Sequence, residues 1–178
     1  MTWLNHSLCF VLFVLAVADR ENNHGREHTD STRMFGALRH VVAVFTSNNH
    51  TSFKCLSATR TRFDAEAKTA TYIWHLKAHS GHRRKDVPFD ISFGGTPGQG
   101  TFVVNNDTAN AHTAYYRYSD YRTCAITQSP YDGSDHCTLW VKKNFKHNVP
   151  RHCLDKYEET CDVRVPLIDR DLCKDEDD

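Results

Sequence analysis

The hydrophobic pattern divides the chain into an apolar leader, a polar lead and a long stretch of short alternating segments. The first 18 positions hold 14 apolar residues, unbroken from Leu8 to Ala18. That run is short for a bilayer span, and Ala16-Val17-Ala18 before Asp19-Arg20 has the small-residue form of a signal-peptidase site. Residues 1–18 therefore read as a signal peptide, although no Lys or Arg precedes the apolar run. Residues 19–29 are almost wholly polar and predict a disordered N-terminal lead, followed by one domain over residues 30–178.

Within that domain, Asp30-Ser31-Thr32 can cap a short helix running through Met34, Leu38 and Arg39. Segments 40–47, 52–63, 68–78, 86–93, 100–105, 112–118, 121–128 and 136–143 are rich in Val, Phe, Tyr, Thr, Ile and Trp and read as strands. Turn material separates them, including Gly94-Gly95-Thr96-Pro97-Gly98, Asn105-Asn106-Asp107 and Ser129-Pro130-Tyr131-Asp132-Gly133. Eight strands at hairpin spacing predict an all-β fold, an up-and-down antiparallel barrel or a sandwich. A second helix is expected from Val149-Pro150 to Cys161, with Cys153, Leu154, Tyr157 and Cys161 on one stripe.

Strand alternation sorts side chains by face. Cys124 and Ile126 oppose Ala125 and Thr127, while Cys137, Leu139 and Val141 oppose Thr138, Trp140 and Lys142. A cysteine bonded to the following helix, outside a closed barrel, would mark its face as the outer one. Ala125, Thr127, Thr138 and Trp140 would then point inward.

Charge narrows the partners. The chain has 22 Lys and Arg against 22 Asp and Glu, with none in the leader, so no overall basic excess favours nucleic acid. Beyond the leader the longest apolar run, Val41–Phe45, is far too short to cross a membrane. Of seven cysteines, Cys9 lies in the leader, and Cys55, Cys124, Cys137, Cys153, Cys161 and Cys173 remain. An even number in an exported chain predicts disulfides, with fifteen pairings open. Cofactors are not expected. Neither is catalysis: G-x-S-x-G, H-E-x-x-H and phosphate-binding glycine loops are missing, and paired cysteines leave no thiol nucleophile.

Aromatic residues are the best functional clue. Tyr72 and Trp74 share a strand face, and Trp140 and the Tyr115, Tyr116, Tyr118 cluster supply further walls for a small cavity. The plain alternative is a solid core. Asp90, between Phe89 and Ile91, faces away from them toward solvent; were it to face the lumen it would serve as an amine counter-ion. Asp120, at a strand end, either reaches the barrel mouth or caps a turn. His75, His79 and His82 invite a metal reading, but His75 and His79 stand roughly 13 Å apart along a strand, too far for one ion. Arg83-Arg84-Lys85 reads as a solvated loop and residues 174–178 as a frayed acidic tail. Asn49-His50-Thr51 and Asn106-Asp107-Thr108 are glycosylation sequons in turns.

The runs Tyr118-Ser119-Asp120-Tyr121-Arg122-Thr123-Cys124, Cys137-Thr138-Leu139-Trp140 and Asn148-Val149-Pro150-Arg151-His152-Cys153-Leu154-Asp155-Lys156-Tyr157 resemble tick salivary lipocalins of the histamine-binding protein family. A Phe53-Lys54-Cys55 strand and Asp171-Leu172-Cys173 add to the likeness. The resemblance implies an eight-stranded antiparallel lipocalin-type barrel, with a short N-terminal helix and a C-terminal helix packed outside. It also implies bridges Cys55–Cys173 and Cys124–Cys153, with Cys137–Cys161 as the remaining pair. The implied function is that of a secreted monomer sequestering a small host mediator, foremost a biogenic amine such as histamine, with a fatty acid or eicosanoid as alternative. Another possible role lies with loops 94–100 and 128–135, which would bind a host immune protein. The family's amine binders carry acids directly after the cysteine matching Cys124 and before the Leu-Trp, where this chain has Ala125 and Thr138. Phe53 and Thr113 stand where eicosanoid binders carry Arg. The candidate ligand residues are thus Tyr72, Trp74, Tyr116, Tyr118, Thr138, Trp140, Asp120 and Asp90.

Overall fold

A computed structural model describes residues 28–49, 51–78 and 83–173. The predicted signal peptide, nearly all of the polar lead, His50, His79, His82 and the acidic tail lie outside the described residues. Helix α1, Ser31–Ala37, starts where the Asp30 carboxylate accepts the Arg33 N–H at 3.0 Å and ends at Ala37, two residues short of the expected Arg39, with Leu38 as its C-cap. Eight antiparallel strands follow: β1 His40–Thr46, β2 Ser57–Asp64, β3 Thr69–Leu76, β4 Lys85–Phe93, β5 Gln99–Val104, β6 His112–Ser119, β7 Cys124–Tyr131 and β8 Ser134–Lys142. Each pairs with its sequence neighbour, and β8 pairs with β1, which closes the barrel.

Strand β1 divides its other edge between two partners. His40–Val42 pair with Ser57–Thr59 of β2. Beyond a bulge between Ala43 and Phe45, Phe45 and Thr46 pair with a two-residue strand, β9, Val165–Pro166. That ninth strand was not expected from the sequence. Covering the edge after β2 diverges satisfies backbone groups that would otherwise be left open.

Three local expectations need correction. The segment before β2 is a 3-10 turn, Thr51–Phe53, so Phe53-Lys54-Cys55 is no strand, and Cys55 adopts a positive φ of 57°. Strand β7 continues through Tyr131, and the turn narrows to Asp132-Gly133. Both residues have positive φ, as a two-residue hairpin demands. Helix α2 covers Arg151–Thr160, slightly less than expected, with Pro150 at its N-cap.

Helix α2 packs outside β7 and β8. Cys153, Tyr157 and Cys161 bury against Val44, Ile126, Leu139 and Val141, forming a core separate from the one inside the barrel. The fully buried Tyr157 places its hydroxyl 2.9 Å from the Val163 carbonyl and 3.2 Å from that of Cys137. Cys124–Cys153 and Cys137–Cys161 tie the outer faces of β7 and β8 to this helix, and Cys55–Cys173 holds the end of the described chain. The outward assignment of Cys124 and Cys137 from alternation agrees with this placement.

Replacing Cys124 and Cys153 together by Ala removes a cross-link spanning 29 residues and is expected to cost ~3–4 kcal/mol, read as a lower urea midpoint with an intact circular dichroism spectrum.

Candidate ligand-binding lumen

Inward alternation from the strands, together with α1 across one end, lines a partly open cavity of about 90 Å³. Trp74 stands at its centre. Its ring stacks on Phe89 at 4.2 Å, meets Trp140 at 5.3 Å and takes the edge of Phe53 at 5.7 Å. At the α1 end, Phe35 lies 5.8 Å from Tyr72, 4.8 Å from Phe93 and 5.1 Å from Tyr116. Phe102, Ile91, Leu38 and Met34 complete most of the apolar wall. No Asp, Glu, Lys, Arg or His lines the cavity among the described residues.

The polar groups of the lumen are few. Trp140 Nε1 donates to Thr127 Oγ1 at 3.0 Å, and the Tyr72 hydroxyl donates to the Leu38 carbonyl. The Tyr116 hydroxyl is buried with no hydrogen-bond partner. It lies over Gly100, where an added Cβ would come within 2.5 Å of it and 2.8 Å of the Ser92 carbonyl. Burial pushes both phenols well above their usual range. For Tyr72, Arg60 opposes the shift in part, whereas Tyr72 adds to that of Tyr116. Both therefore remain protonated donors at physiological pH.

Four of the eight candidate residues, Tyr72, Trp74, Tyr116 and Trp140, line this cavity. Thr138 is buried opposite Thr127, in the inward position that alternation gives it, but does not reach the cavity wall. Tyr118 is a correction. A bulge between Tyr116 and Tyr118 inserts an extra residue, which breaks the alternation and sends Tyr118 to the outer, α2-side core. Asp90 faces outward, as strand alternation expects, so it is no lumen counter-ion, and it accepts from the Thr71 hydroxyl at 2.7 Å across the strand pair.

Asp120 is also outside the lumen. Its Oδ1 accepts the N–H groups of Arg122, Thr123 and Cys124 at 3.0, 2.8 and 2.9 Å, and its Oδ2 lies 2.9 Å from His152 Nε2. Burial alone would raise this carboxyl, but those amides and the Thr123 hydroxyl outweigh it and hold the group well below the usual carboxylate range. Asp120, Cys124, His152 and Cys153 converge as metal donors might, yet the two sulfurs are bonded to each other and offer no thiolate. His75 bridges Asp86 and Thr59 on the outer wall. Asn49 and Asn106 are exposed.

The alternation argument missed α1, whose Met34, Phe35 and Leu38 reach the cavity only because the helix lies across the barrel end. Phe89, Ile91 and Phe102 were legible as inward positions of their strands and went unnamed as site residues.

A closed eight-stranded antiparallel barrel with an aromatic lumen and a helix on its outer wall places the molecule among the lipocalin-like proteins. The chain belongs to the tick histamine binding protein family, whose sequence profile matches residues 19–174. Several solved structures share the fold at low identity. AM182 in complex with serotonin has a TM-score of 0.60 at 14% identity, over 80% of this chain and 91% of that one. Japanin from Rhipicephalus appendiculatus bound to cholesterol gives 0.55 at 12%, over 74% and 94%. Lobster apocrustacyanin A1 gives 0.52 at 15%, over 75% and 78%. No curated protein matches the chain in sequence. The three disulfides fit an extracellular protein.

Two substitutions test these assignments. Asp120→Ala is expected to lower stability by ~2 kcal/mol, as several hydrogen bonds to a charged cap are lost, without altering the lumen. Because the folded carboxyl titrates below its ordinary value of 3.8, its contribution is complete above that pH and disappears as pH falls further. Thermal melts of wild type and variant should therefore converge in acid. Gly100→Ala drives a methyl group into Tyr116 and is expected to cost ~1–3 kcal/mol, measured by urea unfolding.

Proposed function

We propose that this protein is a secreted, monomeric carrier that sequesters a small mediator in its lumen, and that the enclosed part of the ligand is uncharged. The observation that carries this reading is the cavity itself, with aromatic walls, one unpartnered buried donor and no carboxylate. A protonated amine would lose its hydration and find no counter-ion, a cost of several kcal/mol that cation–π contacts of ~0.5–2 kcal/mol only partly offset. Ala125, standing where the family's amine binders have an acid, lines the cavity with a methyl group.

Size restricts the ligand as well. The cavity is smaller than the ~150 Å³ apolar void that accepts benzene, so a sterol or eicosanoid would require repacking of the Trp74 cluster. A compact ring fits once Met34, whose unbranched thioether adapts readily, makes room for it. Family membership makes histamine and serotonin the first amines to test, and the serotonin and cholesterol complexes of structural neighbours bracket the ligand range. On a scale where one water needs ~10–15 Å³, the cavity exceeds a few waters, which favours a lumen ligand over loops 94–100 and 128–135 serving a host protein. Glycans at Asn49 and Asn106 fit their exposure and a secreted chain.

Calorimetry at micromolar protein with indole, serotonin and histamine tests the reading, since indole has serotonin's ring system without its ammonium. Indole is expected to bind at least tenfold more tightly than either amine and to quench Trp74 and Trp140 fluorescence. Micromolar histamine or serotonin binding would overturn the uncharged-ligand assignment. Silence from all three, with no fatty acid recovered by native mass spectrometry, would overturn the lumen reading. Tyr116→Phe is expected to raise the melting temperature slightly by removing an unsatisfied buried hydroxyl, and to weaken ligands that carry an acceptor.

A further inference from the structure

The α1 end of the barrel and the adjoining β1–β3 wall carry a concentration of positive charge that the lumen lining lacks. Where the end of α1, the start of β1 and the end of β8 meet, an open cleft of about 700 Å³ is lined by Arg39, His40, Lys142, Lys143, Lys146 and His147. A second cleft of about 510 Å³ runs over β1, β2 and β3, shares His40 and Lys143 with the first, and adds His75, Lys77 and Arg84. No Asp or Glu lines either cleft among the described residues.

This clustering is not a consequence of composition, because the whole chain is balanced at 22 charges of each sign. The acids lie elsewhere, with Asp155, Glu158, Glu159 and Asp162 on and just after α2. Arg39 and Arg84 are exposed, and neither they nor Lys142 has an ion-pair partner among the described residues. Hydrogen-bonding groups sit in the second cleft too. Thr59 Oγ1 lies 3.2 Å from His75 Nε2 and 3.4 Å from His40 Nδ1.

We propose that these joined clefts bind a sulfated polysaccharide, the cations taking successive sulfate groups along the chain. Arg39 and Arg84 can each hold a sulfate through two parallel N–H donors and Lys142 acts as a point charge, while the buried Lys77 and Lys146 ammoniums contribute only to the local potential. Two clefts continuous through His40 and Lys143 suit an extended polyanion better than a single small anion. The disulfides place the protein outside the reducing cytoplasm. Anionic lipid is concentrated on the cytoplasmic leaflet, which leaves sulfated glycans as the abundant extracellular polyanion. The cations line the clefts and not the lumen, with Val41 and Ala58 forming the partition between the second cleft and the cavity.

The test is titration of the disulfide-bonded protein with a heparin oligosaccharide, across a series of salt concentrations. Binding is expected to weaken linearly on a log–log plot against salt, as counterion release requires. Arg39→Ser combined with Lys142→Ser and Arg84→Ser should weaken it at least tenfold, with the melting temperature and lumen-ligand affinity unchanged. Arg151→Ser with Arg164→Ser, on the α2 side, should have no such effect. Lys142→Gln alone, expected to lose about twofold, serves if the triple variant does not fold. The proposal is overturned by absent binding at physiological salt or by an equal loss in the α2-side variant. Equal or tighter retention by duplex DNA or phosphatidylserine vesicles would overturn the polysaccharide assignment.

Discussion

Burial of β7 and β8 on both faces is the constraint on which the other features rest. A strand alternates its side chains, so a wall between a lumen and a packed helix must be apolar on both sides. Cys124 and Ile126 of β7, and Cys137, Leu139 and Val141 of β8, supply the outer side, and both cysteines continue as disulfides into α2. The inner side receives Ala125, Thr127, Ser129 and Trp140. A slip of one residue would carry both cysteines into the lumen and Trp140 out under α2, so the bridges fix register as well as stability. Trp140 can therefore be a stationary wall for Trp74.

The lumen this wall helps to enclose is poor in electrostatic recognition. Its phenols are held neutral by burial, its indole donor is already used by Thr127, and the position that would bring a carboxylate beside the ligand holds Ala125. What remains is shape, ring contacts worth ~0.5–1.5 kcal/mol each, and the hydroxyls of Tyr116 and Ser129. Charge recognition has moved to the outside of the barrel. There Arg39 and Lys142, more than a hundred residues apart in sequence, come together only because β8 closes onto β1.

That separation explains what could be read from the sequence. The strands, the outward cysteines and inward Tyr72, Trp74 and Trp140 follow from a two-residue period and local composition, which act within a few positions. Tyr118 escaped because one bulged residue inverts the period without changing composition. Asp120 was legible as a turn cap, because the Asx-turn bonds to Arg122 and Thr123 are local, whereas its contact with His152 is tertiary. Met34, Phe35 and Leu38 showed a helical pattern, but nothing local says that the helix crosses the end of the barrel. The basic clefts were invisible for the same reason, and a balanced charge count obscured them further.

How α1 is fastened bears on the route to the lumen. Helix ends leave carbonyls unpaired, and here Arg60 donates to the Phe35 carbonyl, Tyr72 to that of Leu38, and the Leu38 N–H to that of Met34. The helix start is held by the Asp30 cap, and the Asp30 N–H donates to the Tyr121 hydroxyl oxygen at 2.9 Å. Opening this end would break several buried or charge-assisted hydrogen bonds at once. The other end is walled by rings, with Phe53 and Tyr131 packed on Trp74 at 5.7 and 5.4 Å. That closure rests on ring contacts rather than hydrogen bonds, which makes it the less firmly tied of the two ends. At the firmer end, any group that competed with Leu38 for the Tyr72 hydroxyl would loosen the helix that closes it.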